Sequence, residues 1–178
     1  MIYACLKFLQ EWHTPLTVLN YTLLGCASGL TLAAAFAAHA APGLASDLAP
    51  ALARWAIGVT LLALAGRAAS LVRNGRLRPR SSLQSATGVN HPRIVQKSQG
   101  QMGGSFNTRE FFHGRTAGWL RGVKWGFLLF AFALPVVLLA GGWWQAAFVV
   151  QYAGLLAERW FFFAQANHPQ NLYYGAIA

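Results

Sequence analysis

Acidic side chains are almost missing from this chain: Glu11, Asp47, Glu110 and Glu158 are the four that 178 residues hold. Charged residues of both signs make up 10%, against about a quarter in soluble domains. A soluble fold of this length needs far more polar surface to cover its core, which excludes that class. Cysteine is scarce too. Cys5 and Cys26 lie far apart in sequence, Cys26 inside an apolar run, and they suggest neither a disulfide framework nor a metal site but inert small residues. Two thiols cannot ligate an iron–sulfur cluster without a partner. A haem inside a membrane needs histidines deep in facing helices. Here His13, His91, His113 and His168 fall outside the long apolar runs, and His39 ends the first of them. The chain is therefore expected to bind no metal and no cofactor of its own.

What is present is apolar: 56% of the residues are hydrophobic. A bilayer core about 30 Å thick takes about 20 apolar residues per helix. The sequence predicts an all-α integral membrane fold, one membrane domain over 1–178, with four spans at about 15–39, 51–72, 120–140 and 143–163. The first run lacks a basic n-region and a cleavage site, so it reads as a span and not as a signal peptide. Thr14 and Pro15 suit its N-cap and first helical position. Gly25 and Gly29, one turn apart, would let another helix approach closely. A linker over 40–50 holds Pro42, Gly43, Asp47 and Pro50, while Arg54 and Arg67 mark the ends of the second span, placed to snorkel. Pro135 predicts a kink in the third span, and Gly141-Gly142 the turn into the fourth. Several of the seven tryptophans fall near span ends, as interface anchors do.

Ten of the fourteen Lys and Arg residues lie between Arg73 and Lys124, with Glu110 the one acid among them. Flanked by apolar runs, this excess suits a membrane surface better than nucleic acid. The positive-inside rule places the loop over 73–119 in the cytoplasm. Both termini of the chain then share that side, and the linkers at 40–50 and 141–142 face outward. A connection of about fifty residues is too long to be a simple one. Its aromatic and apolar residues, interleaved with polar ones, predict structure over disorder. Asn107 and Glu110 fit a capping box starting a short helix through Phe111 and Phe112. Gly100, Gly103 and Gly104 match neither a P-loop nor a dinucleotide fingerprint, and would instead let a protein partner come close.

The run HPRIVQKSQGQMGGSFNTREFFHG (His91–Gly114) and the ending ERWFFFAQANHPQNLYYG (Glu158–Gly175) resemble the dimethyl sulfoxide reductase membrane-anchor subunit family (DmsC type). MIYACLKFLQEWHTPLT (Met1–Thr17) is similar to the family's segment before a mid-protein helix. The family has about eight helices, and this chain aligns with its C-terminal half, leaving most proposed quinol-site residues in the other half. The resemblance implies an anchor that binds no haem, with a ferredoxin-like iron–sulfur subunit and a molybdenum-cofactor catalytic subunit as partners. Such an anchor exchanges electrons with menaquinol or another quinone, as in anaerobic electron transport at the bacterial inner membrane. Sulfoxide reduction leads among the implied partner reactions. Sulfite oxidation, as in a sulfite dehydrogenase complex, is the alternative, since related anchors serve several catalytic subunits.

No catalytic residue is assigned to the chain. Ionisable residues inside a span are functional candidates by default. Glu158 and Arg159 near the end of the fourth span, and Arg67 at similar depth on the second, are candidates for quinone or proton handling; a packing ion pair is the other reading. His91, Arg93, Arg109, Glu110 and His113 in the basic loop are candidates for docking the partner subunit. A small four-helix transporter would share the hydropathy, but its midplane charge and internal symmetry are missing, and it would leave the loop unexplained.

Overall fold

A computed structural model describes residues 2–40, 45–78, 82–94 and 116–166, and every described element is helical. Helix α1 covers Pro15–Ala40. It starts where Thr14 and Pro15 predict, and the Leu16 amide donates to the Thr14 hydroxyl at 3.4 Å. Proline costs nothing at this position, because the first amides of a helix lack internal partners anyway. Helix α2 covers Ala45–Gly75 and is longer at both ends than the span expected over 51–72. Pro50 lies inside it and not in a linker. So near the helix start, proline forfeits one amide bond to the Ser46 carbonyl while its fixed φ suits the helix. A short helix α3, Leu83–Thr87, follows, capped reciprocally by Ser82 and Ser85 and closed by Gly88 in the left-handed region.

The third span is built from three pieces. Helix α4 runs Ala117–Leu128, a π-helical turn covers Leu129–Ala133, and α5 runs Leu134–Ala140. The Pro135 expected to kink this span lies just beyond the π turn. Its ring removes the amide that the Ala131 carbonyl would accept from and crowds that carbonyl, and a wider π turn relieves the crowding. At Gly141-Gly142 the chain reverses in a Schellman motif. Trp143 N–H donates to the Leu138 carbonyl at 2.9 Å and Gly142 N–H to Leu139 at 3.2 Å. Gly142 has φ +79°, which a side chain would resist. Helix α6 then covers Trp144–Ala164.

Among the described residues, three stretches are long and apolar enough to cross a bilayer: Pro15–His39, Asp47–Gly75 and Ala117–Ala140. Helix α6 falls short of them in apolar character because it carries Gln145, Gln151, Glu158 and Arg159. It nevertheless packs against α1, α4, the π turn and α5, while α1 packs most extensively on α2. The interior is lined by small residues, with Ala34, Ala56, Ala63 and Ala147 wholly buried, whereas large side chains such as Trp55, Phe36, Leu62 and Val149 point outward. That inside-out distribution is what lipid permits, since apolar side chains lose nothing by facing it.

Close helix contact occurs elsewhere than predicted. Gly25 and Gly29 face open space. At Gly154, in contrast, a Cβ would run into the backbone of Phe130 and Ala131, so α6 and the π turn touch main chain to main chain. Cys26 also lies exposed on the outer face of α1 and is not a packing residue.

Candidate functional site

The N-terminal turns of α1 and the C-terminal turns of α2 and α6 meet at one end of the bundle. The segment before α1 folds over that end. Trp12 stacks on Phe162 with ring centroids 5.1 Å apart and an interplanar angle of 9°, and its Nε1 donates to the Phe162 carbonyl at 3.1 Å. Beneath this cover lies a cluster of polar side chains.

Arg67 of α2 and Glu158 of α6 are its centre, 2% and 0% exposed. Arg67 Nε lies 2.8 Å from Glu158 Oε1. The pair is ionic by distance, yet the N–H direction misses the oxygen, so it does not count as a hydrogen bond. The other carboxylate oxygen, Oε2, accepts from Arg159 Nε at 2.7 Å and lies 2.5 Å from its Nη2. Each guanidinium also rests on aromatic faces. Arg159 lies 3.9 Å from the Tyr21 ring centroid, and Arg67 lies 5.5 Å from that of Phe127. Asn20 Nδ2 donates to Ser70 Oγ at 2.7 Å, tying α1 to α2. Nearer the helix end, Arg73 donates to the Gln10 carbonyl at 3.1 Å.

A charged side chain alone at mid-membrane costs about 2.5–3.5 kcal/mol to insert. Toward the end of the bundle the cost is smaller, and the three ionisable groups here are accommodated because one carboxylate faces two guanidiniums and opposite charges attract strongly where little water reaches. Arg67 therefore does not snorkel as expected. Its head is turned inward to Glu158, and the depth that made it look like an interfacial residue is the depth of its partner.

The structure thus brings together Arg67, Glu158 and Arg159, the three residues singled out for quinone or proton chemistry. It does not add the docking candidates to them. His91 and Arg93 lie in an exposed turn, with His91 Nδ1 3.0 Å from the Arg93 amide. Arg109, Glu110 and His113 lie outside the described residues, as does the capping box expected at Asn107. No group of three His, Cys, Asp or Glu able to hold a metal occurs among the described residues.

Sequence reading missed the rest of the seam. On α2, Thr60 precedes Arg67 by one heptad; on α6, Gln151 precedes Glu158 by the same step. Gln151 Nε2 donates to Thr60 Oγ1 at 3.2 Å and reaches the Ala131 carbonyl, deprived of its helical donor by Pro135, at 3.5 Å. Two polar rungs thus join α2 to α6, two turns apart. The matched heptads were the available signal. Asn20, Tyr21 and Ser70 left none, since isolated polar residues on apolar helices are common.

The ion cluster borders a cavity of about 10 Å³. That takes a water and is far below the roughly 300 Å³ at which organic-ligand pockets begin.

The whole chain aligns with the C subunit of the sulfite dehydrogenase of Allochromatium vinosum at 50% identity over 185 residues, which covers 56% of that protein. The chain therefore spans about half the length of the curated relative it matches. No protein-family model and no solved structure matches it.

Proposed function

We propose that this chain is a large part of the membrane subunit of a sulfite-oxidising molybdenum-cofactor complex, holding an iron–sulfur subunit at the membrane and coupling it to the quinone pool. The identity to a sulfite dehydrogenase subunit along the full chain carries this reading. It favours sulfite oxidation over the sulfoxide reduction that the anchor-family resemblance put first; the dimethyl sulfoxide reductase type finds no support in it. Helix α6 is the fourth span, with Gln151 and Glu158 turned to the bundle interior. The basic loop over 73–119 faces the cytoplasm of a bacterium and receives the iron–sulfur partner through Arg93, Arg109 and His113. The molybdenum cofactor and the clusters belong to the partner subunits.

In this reading the cluster's chemistry is positional. Glu158, held between Arg67 and Arg159, locks α2 to α6 beneath the docking face. The cavity beside it is too small for a quinone ring, so a quinone meets the protein at the cluster's outer rim. Arg159, whose side chain is 29% exposed, is the member placed to donate to a quinone carbonyl.

The test separates anchoring from turnover. In the full-length subunit, Arg109→Ala or Arg93→Ala removes one side of a charge-assisted contact, typically costing about 2–5 kcal/mol of binding. The catalytic subunits are expected to shift from the membrane to the soluble fraction. Normal retention and normal sulfite-driven quinone reduction in both variants would refute the docking role.

A further inference from the structure

The cavity beside the ion cluster lies where α1, α2 and α6 converge, and Asn20, Tyr21, Arg67, Ser70 and Glu158 line it. Its volume, about 10 Å³, is that of a single water site. Cavities that stay dry are lined by hydrocarbon, whereas a bound water needs two to four polar partners. This lining supplies them. Arg67 Nη2 and Asn20 Oδ1 are buried and meet no hydrogen-bond partner in the protein. One is a charged donor and the other a neutral acceptor, and the hydroxyl-bearing Tyr21 and Ser70 flank them. Leaving a buried charged donor unmade is among the costlier defects a fold can carry.

The chemistry of the ligand follows from the same residues. It must accept from a guanidinium and donate to an amide oxygen, so it both donates and accepts. Glu11 and Glu158 balance Arg67 and Arg159 around the cavity, so no additional anion is called for. Nothing larger than a water fits. Asn74 and Glu11 line the same cavity and add to its polar wall.

We propose that this cavity is a binding site for one exchangeable water molecule, which accepts a hydrogen bond from Arg67 and donates one to Asn20. The water completes the solvation of the Arg67–Glu158 pair inside the membrane bundle. The site holds whichever oxidoreductase complex the chain serves.

Radiolytic hydroxyl-radical footprinting of the full-length protein in lipid nanodiscs, in ¹⁸O-labelled water, tests it. Radicals formed at a bound water mark adjacent side chains even when these are buried. Phe162 lines the cavity at 4% exposure, while Phe132 is 1% exposed in an apolar cluster away from it. Phe162 is expected to take up ¹⁸O several-fold faster than Phe132. Asn20→Leu, which keeps the side-chain shape and replaces the acceptor with a methyl group, should bring Phe162 down to the Phe132 rate. Equal rates in the unmodified protein overturn the proposal, whether or not the variant folds. So does fast labelling of Phe162 that persists in a folded Asn20→Leu protein, because bulk access would then explain it.

Discussion

Glu158 answers two arginines at once, and that asymmetry orders the expected effects of substitution. Glu158→Gln leaves Arg67, 2% exposed, without a counter-charge. Removing one member of a buried pair costs about 3–5 kcal/mol. The variant is expected to lose most of its folded population in a thermal melt in nanodiscs. Arg159→Ala should cost markedly less, since its side chain is 29% exposed and Glu158 keeps Arg67. Replacing both buried partners, Arg67→Leu with Glu158→Leu, leaves only the part-exposed Arg159 without its carboxylate and should recover much of what Glu158→Gln loses. A double variant no more stable than Glu158→Gln would contradict this account of the pair. The sequence shows that these three residues are ionisable and at similar depth. It does not show that Arg67 turns inward, because a snorkelling arginine and a paired one have the same spacing, and helix rotation decides between them.

Among the helices, glycine position separates contact from open face. At Gly154 a Cβ would overlap the backbone of Phe130 and Ala131, while Gly25 and Gly29 meet nothing. Gly154→Ala is therefore expected to destabilise by about 1–3 kcal/mol, the usual range for overpacking. Gly29→Ala should be neutral or slightly stabilising, since it reduces the freedom of the unfolded chain. Fluorescence-detected size-exclusion after a heating series reads both, and a tolerated Gly154→Ala would show that α6 does not lie on the π turn. The four helical runs, the proline at the start of α1 and the Gly-Gly turn follow from composition, which reports length and flanks well. The early start of α2 does not, because proline near a helix start and proline in a linker look alike. The π turn was legible only as a kink at Pro135. Its neighbour Gln151, supplying a donor to the Ala131 carbonyl, is a long-range contact that no local pattern encodes.

For the whole molecule, the charge distribution and the packing of α6 against the other helices support the proposed topology. In the proposed topology, with α6 as the fourth span and residues 73–119 in the cytoplasm, a single cysteine at Ser98 should resist an impermeant maleimide in intact cells. Cys26 is exposed on α1, so Cys5 and Cys26 are replaced first. Ready labelling from outside would invert the orientation. The proposed docking surface rests on the sequence, since Arg109, Glu110 and His113 lie outside the described residues. The chemistry of the loop marks Arg93 and Arg109, but the side chains that a partner organises are settled by that partner and not by the helices around them.

The proposal of a sulfite-oxidising membrane complex is tested most directly by sulfite-dependent quinone reduction in isolated membranes. Cells carrying the intact gene for the full-length subunit are compared with cells lacking it. The account predicts that the membranes lose sulfite-driven quinone reduction when the gene is absent, while sulfite-oxidising activity toward an artificial electron acceptor persists in the soluble fraction. Undiminished sulfite-driven quinone reduction in membranes lacking the subunit would contradict it.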